Sequence, residues 1–437
     1  MKNGKKTALF LGDITILYLS LALTILIGYS ISEFKDQYLI HTGPFSALFA
    51  LWLLVFYLSD LYKYSALRTN IHLGKTLLRG IMLSVVASVI ALYLFPDFFK
   101  LTPKTNLAIL SILFFGLSYI FRIIILQAFI SSARRIIIFG NSPLIEETVS
   151  FILENPQSGY KIELWTKNPD EKSMIDLSKT VGESGAHLLV MSPELMKNFQ
   201  FTGSAYKLFP LEVKVMNFLD FYEEFFEKVP LDSLNSSWFI EHISTHRPFY
   251  DAAKRILDFS LALIFGVILL PLIILISISI AITSRGPVLF IQKRIGKAEK
   301  EFTLFKFRTM THGNTGPLWT EKNDSRITGI GKFLRFTHFD EFPQLWNILK
   351  GDISFTGPRP ERAELVEKYN SFPHYGMRHV IKPGVSGWAQ INYKPSASLE
   401  EAYEKLKYDI YYVKNRSLLL DFLIIIKTIR YIFSSHS

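Results

Sequence analysis

Four long apolar stretches crowd the first part of the chain, at about residues 8–31, 44–62, 77–96 and 107–130. Each approaches the roughly 20 residues that a helix needs to cross the hydrocarbon core of a bilayer. Flanking charge then sets their direction. Lys2, Lys5 and Lys6 precede the first stretch, and Lys63, Arg68, Lys75 and Arg79 surround the second connection, whereas the other two connections are poor in Lys and Arg. By the positive-inside rule the amino terminus is cytoplasmic, and four crossings return the chain to the cytoplasm. The first stretch is too long for a cleaved signal peptide and lacks a small-residue cleavage site.

Composition agrees with a membrane setting. Of 437 residues, 49% are hydrophobic and 37 are Phe, high for a purely soluble protein. A formal charge of +10 calls for an anionic partner, which lipid headgroups and phosphorylated substrates both supply. Nucleic acid is disfavoured, because the basic residues are spread over membrane flanks and a candidate site rather than gathered in one aromatic-rich stripe. There is no cysteine, which excludes disulfides and thiolate metal sites. The ten histidines show no HExxH-type spacing.

After the fourth stretch, Arg134-Arg135-Ile136-Ile137-Ile138-Phe139-Gly140-Asn141-Ser142-Pro143 reads as a strand and a turn, with a helical pattern following to Glu154. Strands and helices alternate to about residue 225, the pattern of a small α/β domain. A dinucleotide site would need the glycines of GxGxxG, and only Gly140 is present, so a structural or regulatory module is the better expectation.

A fifth apolar stretch, about residues 259–283, has Lys254 and Arg255 at one end and Arg285, Lys293, Arg294 and Lys297 at the other. A full crossing would put one basic cluster outside, against the charge rule. Pro271 in the middle deletes a helical hydrogen bond and predicts a kink. A re-entrant helix that enters, bends at Pro271 and returns satisfies both observations, with an ordinary fifth span as the alternative.

From residue 285 to about 393 the chain is rich in Gly, Pro and basic residues without long apolar runs, the texture of a loop-built site. Alternation in Phe302-Thr303-Leu304-Phe305-Lys306-Phe307-Arg308-Thr309-Met310 puts Lys306 and Arg308 on one face of a strand. That face suits phosphate or plain solvent equally. Arg326 and Arg335 bracket the turn Gly329-Ile330-Gly331. Asp340 and Glu341 precede the helical run Leu345-Trp346-Asn347-Ile348-Leu349, which ends at Gly351. Acids there could simply complement a helix start, but with Lys306, Arg308, Arg335 and Arg359 nearby they also make a divalent-cation and phosphate site. Magnesium takes one or two carboxylates plus phosphate oxygens, and an aspartate can attack phosphorus. Pro358 and Pro360 hold Arg359 extended between them.

These residues resemble the bacterial sugar transferases of the monotopic phosphoglycosyl transferase type. The resemblance runs from about residue 254 to 429. It is carried by Lys254-Arg255 with Asp258, Lys306-Phe307-Arg308-Thr309-Met310, Asp340-Glu341-Phe342-Pro343-Gln344-Leu345, Gly351-Asp352-Ile353-Ser354-Phe355-Thr356-Gly357-Pro358-Arg359-Pro360, and Lys382-Pro383-Gly384-Val385-Ser386-Gly387-Trp388-Ala389-Gln390. Four spans and an α/β domain ahead of it match the large subgroup. The implied architecture has four transmembrane helices at 1–132, a Rossmann-like α/β domain at 133–228, a linker at 229–250, and an α/β monotopic catalytic domain at 251–437 with a re-entrant helix over 255–284.

The implied activity is transfer of a sugar 1-phosphate from a UDP-sugar to undecaprenyl phosphate in the bacterial inner membrane, on the cytoplasmic side. It would be the first step of exopolysaccharide, capsule or O-antigen synthesis. In the family's pattern Asp340 is the nucleophile, Glu341 holds magnesium, and Lys306, Arg335 and Arg359 engage substrate phosphates. Membrane lipids and a second copy of the chain are the implied partners, and glucose or galactose is the favoured sugar. Leu270 stands where the family commonly has Ser before the helix-breaking proline, and Phe342 stands for a frequent leucine. The apolar carboxyl-terminal stretch 418–433, interrupted by Asp421, Lys427 and Arg430, suits either the membrane surface or a buried domain helix. Two other classes compete. A non-catalytic assembly scaffold would not need both acids and their cationic neighbours, and a nucleotide-sugar oxidoreductase would need the missing glycines.

Overall fold

The computed structural model describes residues 2–59, 61–62, 70–96, 99, 104–131, 133–169, 177–197, 212–311, 324, 326–393 and 398–434. They fall into two compact units, Met1–Phe218 and Leu219–Ser437. Lys63 and Arg68, used above for orientation, lie outside the described residues.

The first unit opens with four helices, α1 (Lys2–Gly28), α2 (Phe34–Leu58), α3 (Asn70–Leu94) and α4 (Lys104–Ser131). Each contains a window long and apolar enough to cross a membrane. α2 starts at Phe34, ahead of the onset read at residue 44, because its polar first turns dilute the hydropathy and Pro44 is accommodated inside the helix. α1 packs on α2 and α4, and α3 on the same two neighbours. Leu17, Leu21, Phe45, Trp52, Phe56 and Phe114 fill the space between them. Met82, Ile112 and Ile120 point outward and are exposed, a surface that lipid tails match as water does not. Inside this apolar bundle, Asp13 of α1 and Arg122 of α4 are fully buried and form a two-pronged ion pair at 2.8 and 2.7 Å. Ser118 adds a hydrogen bond to the same carboxylate at 3.2 Å.

Behind the helices, β1 (Arg134–Phe139), β2 (Tyr160–Thr166), β3 (Leu188–Met191) and β4 (Lys214–Asn217) form a parallel sheet in the order β2-β1-β3-β4. Residues 136–139 and Leu188–Met191 are buried throughout, as strands covered on both faces must be. One covering helix, Pro143–Glu154, starts at a Ser142 cap that accepts from the Ile145 N–H. Its amphipathic spacing buries Ile145, Val149 and Ile152.

In the second unit, helices Pro248–Ile268 and Leu270–Thr283 meet at a 62° bend. The break falls at Leu269, and Pro271 sits in the first turn of the second arm, where a missing N–H has no partner to lose. The helix expected to kink at Pro271 therefore ends and restarts. Although Leu270 brings no hydroxyl, the Val267 carbonyl, four residues before Pro271, accepts from the Leu269 N–H. β5 (Leu289–Ile295) and β6 (Glu301–Phe307) form an antiparallel hairpin, and β7 (Ser354–Thr356) runs parallel to β8 (Gly384–Ser386).

Segment 229–250, read above as a linker, is integrated into this unit. Val229, Leu231, Phe239 and Ile243 are buried with Leu365, Tyr369, Leu406 and Ile410. Their irregular spacing gave no periodicity to read. The last helix, Leu418–Ser434, is buried along one side and exposed along the other. Asp421 and Ile424 are buried, whereas Leu419 is 70% and Phe422 58% exposed.

The bundle's ion pair makes a stability prediction. Arg122→Met strands a buried carboxylate and costs about 3–5 kcal/mol, whereas Asp13→Leu combined with Arg122→Met removes both charges and restores most of the loss. Thermal unfolding in detergent checks this; equal stability of the single and double variants would contradict it.

Candidate active site

The two acids are delivered by a short reversal of the chain. Thr328 caps helix Gly329–Thr337 through the Gly331 N–H. The helix ends at His338, which takes a left-handed conformation with φ +57°. One tight turn, Phe339–Glu341, carries the acids before helix Gln344–Lys350 begins. Gly351 closes that helix at φ +89°, a conformation that favours glycine.

Asn347, on the buried face of that second helix, fixes its distance from the hairpin. Its amide donates to the Thr303 carbonyl at 2.6 Å and accepts from the Phe305 N–H at 3.1 Å. Lys306, next along β6, thereby meets Glu341.

Glu341 Oε1 accepts from Lys306 at 2.8 Å and from Arg359 at 3.2 Å. Burial pushes this carboxyl up, but Lys306 and then Arg359 outweigh it and hold the group well below the usual carboxylate range. Its neighbour behaves in the opposite way. Asp340 Oδ1 is buried without a hydrogen-bond partner among the described residues. Burial and the adjacent Glu341 charge push Asp340 up to about 6, against the pull of Lys306, Arg335 and Arg359. One acid is thus held ionised by the cations that clamp it, while the other is poorly solvated and keeps its proton more readily.

The expected cations do not all converge. Arg335 donates to the Thr309 hydroxyl at 2.9 Å and contributes its field to Asp340. Arg308 is buried and donates to the Ser284 carbonyl at 2.7 Å, at the end of the bent pair. β6 ends at Phe307, so the alternation that would pair Arg308 with Lys306 ceases one residue earlier.

Arg359 is positioned by residues to which the sequence reading gave no such role. Its carbonyl accepts from Arg378 at 2.9 Å, and Arg378 is buried against Asp409 at 2.9 Å. Arg294 donates to the Pro360 carbonyl at 3.1 Å. A Cβ at Gly384 would collide with the Gly357 backbone, so glycine there lets the Arg359 loop seat against β8. Asn347 had a legible signal, as the one polar residue in an apolar run; Arg378 had none.

The Lys254, Arg255 and Asp258 pattern ties the first arm of the bent pair to this site. Arg255 donates to the Ile348 and Leu349 carbonyls, each at 2.7 Å, capping the helix that starts behind the acids. Asp258 accepts from the Phe355 N–H at 3.3 Å. Lys254 binds Asp421 at 2.9 Å and also reaches Thr356.

Next to Glu341 and Arg359 opens a cavity of about 560 Å³, with Phe265 and Leu269 of the bent pair in its wall. Among the described residues no group of three or more His, Asp or Glu side chains forms a metal cage. Two adjacent acids with one unsatisfied oxygen instead fit a hard cation that draws further ligands from substrate phosphates, the habit of magnesium.

Comparison with known proteins follows the same residues. Residues 249–435 match the family described as bacterial sugar transferase. The chain is 40% identical over 186 residues to a UDP-N-acetylgalactosamine-undecaprenyl-phosphate N-acetylgalactosaminephosphotransferase of Aeromonas hydrophila, covering 42% of this chain and 44% of that one. It is 41% identical over 187 residues to a UDP-glucose:undecaprenyl-phosphate glucose-1-phosphate transferase of Xanthomonas campestris pv. campestris, covering 41% and 38%. A putative undecaprenyl-phosphate N-acetylgalactosaminyl 1-phosphate transferase of Bacillus subtilis is 46% identical over 132 residues, 30% of this chain and 74% of that one. The match spans less than half the length of the first two relatives.

Asp340 also affects stability. Its folded pKa, about 6, lies above the ordinary 3.8, so the folded state holds the proton more tightly than the unfolded chain does. Stability is therefore lost as pH rises between these values. Asp340→Asn should gain on the order of 1–2 kcal/mol at neutral pH and nothing once the pH falls below the ordinary value. Melting curves of full-length protein across that range check it, and a variant less stable than wild type at neutral pH would refute it.

Proposed function

The chain belongs to the bacterial sugar transferase family, and on that premise we propose that it transfers a sugar 1-phosphate from a UDP-sugar to undecaprenyl phosphate. The carrying observation is the pair itself: Glu341 clamped by Lys306 and Arg359 beside an Asp340 whose Oδ1 is buried and unbonded. An Asp340 oxygen attacks the β-phosphorus of the donor, the bond from that phosphorus to the bridging oxygen breaks, and UMP leaves. An oxygen of the lipid phosphate then attacks the same phosphorus, the Asp340–phosphorus bond breaks, and undecaprenyl diphosphosugar departs. Asp340 emerges as a carboxylate, ready for the next donor.

Lys306, Arg335 and Arg359 place positive charge around the transferring group, where phosphoryl transfer gains most of its rate. Glu341 keeps Lys306 and Arg359 in place and would hold magnesium. When bound, the ion supplies further neutralisation of phosphate charge. Relatives named for both glucose and N-acetylgalactosamine donors leave the hexose open within this reading.

The two substrates also explain the architecture. The donor is water-soluble and the acceptor cannot leave the membrane, so the acids must stand at the interface. In the proposed arrangement the 62° pair is a re-entrant helix in the inner membrane, with its catalytic unit on the cytoplasmic side. The Rossmann-like domain acts as a non-catalytic module, and the assembly is a homodimer. The product starts an exopolysaccharide, capsule or O-antigen chain.

Two experiments bear on this. Asp340→Asn should lower polyprenyl diphosphosugar formation by roughly 10⁴-fold or more while leaving membrane insertion intact; near-normal turnover would end the nucleophile assignment. Because the attacking form is the carboxylate, kcat/KM for UMP release should fall roughly tenfold per pH unit below the Asp340 value of about 6 and level off above it. A rate still flat at the ordinary aspartate pKa would count against that role.

A further inference from the structure

The cavity beside the acids differs chemically from a nucleotide-sugar pocket. Its walls include Phe265 and Leu269 from the bent pair, Leu345 and Ile348 from the helix behind the acids, and Phe355 and Val385 from the two short strands. Apolar surface dominates, and polar side chains, among them His338, Glu341, Arg359, Gln390 and Lys405, also border it. Phe265 lines the cavity, and its neighbours Ile264 and Ile268 on the same arm are exposed away from the lining, so the cavity wall is continuous with the apolar surface of the bent pair. A ligand matched to this site has an anionic head for Arg359 and Lys405 and an apolar body that continues into lipid.

We propose that this cavity is the subsite for the phosphate-proximal isoprene units of the lipid acceptor, and that Val385 and Leu345 set how well the acceptor, rather than the donor, is bound. The inference rests on the transfer reading above and assigns it a separate place for each substrate. The donor's nucleotide stays on the aqueous side of Glu341, and the prenyl chain enters past Phe265 and Leu269. This geometry also gives the second step its order, because the lipid phosphate is drawn toward Asp340 by the cations while its tail occupies a preformed apolar slot. Burial of each methylene contributes in the same direction without any sequence of polar contacts.

The test separates the two half-reactions in full-length protein held in detergent or nanodiscs. UMP release from a UDP-sugar without acceptor, limited to about one equivalent, reports the donor step; turnover against undecaprenyl phosphate reports the acceptor step. Val385→Phe and, as a second variant against misfolding of the first, Leu345→Phe narrow the cavity without altering a charged side chain. Each should raise the KM for undecaprenyl phosphate roughly tenfold or more, the loss of about one or two buried methylenes. The donor-step UMP burst should stay within about twofold of wild type, and melting temperature confirms that the variant compared is folded. Loss of the donor burst in step with turnover would overturn the proposal and give the cavity to the nucleotide-sugar. An unchanged acceptor KM in both folded variants would overturn it as well. Absence of any burst from wild type would instead count against the covalent intermediate, while the acceptor KM would still decide the subsite.

Discussion

Arg255 fixes the relation on which the rest of the second unit depends. Its guanidinium holds the Ile348 and Leu349 carbonyls, each at 2.7 Å, and those carbonyls end the helix that begins immediately behind Asp340 and Glu341. Last-turn carbonyls have no partner inside their own helix, so a cation there satisfies groups that would otherwise be left open. The same contact makes the first arm of the bent pair and the acid-bearing turn one mechanical piece. Lys254 with Asp421 and Asp258 with the Phe355 N–H repeat the attachment on the same helix. An apolar arm and a charged site usually have no reason to be rigidly joined; here three polar side chains within little more than one helical turn join them.

Within that frame, electrostatics separates two chemically similar neighbours. Glu341 faces two cations through one oxygen and is held ionised, whereas Asp340 lacks a hydrogen-bond partner for Oδ1 and is raised by burial and by Glu341 itself. A single negative charge thus organises the cations and simultaneously raises the basicity of the acid beside it. Asn347 and Arg378 maintain this difference from behind, one by fixing the helix to β6 and the other by holding the Arg359 backbone.

Much of this arrangement can be read in the chain, for identifiable reasons. The four spans are legible because apolar length is a direct consequence of bilayer thickness, although Pro44 hid the start of α2. The bend was legible through Pro271, but its position was not, since a proline is as comfortable in the first turn of a new helix as it is disruptive within an old one. The acid pair stood out by adjacency and by its helix-terminal setting. Arg308 did not follow its alternating pattern because β6 ends before it, and segment 229–250 looked like a connector because its buried residues follow no period. Arg378 and the burial of Asp421 depend on contacts between residues distant in sequence, which local pattern does not encode.

The central claim is that the bent pair enters and leaves the membrane on one side, bringing the acids to its surface. Since the chain has no cysteine, single cysteines at Ser244 and Lys300, on either side of the pair, can report its topology through a membrane-impermeant thiol reagent. Both positions should remain unlabelled in intact cells and become labelled once the cytoplasmic face is opened. Labelling of one position but not the other in intact cells would make the pair an ordinary span and contradict the account.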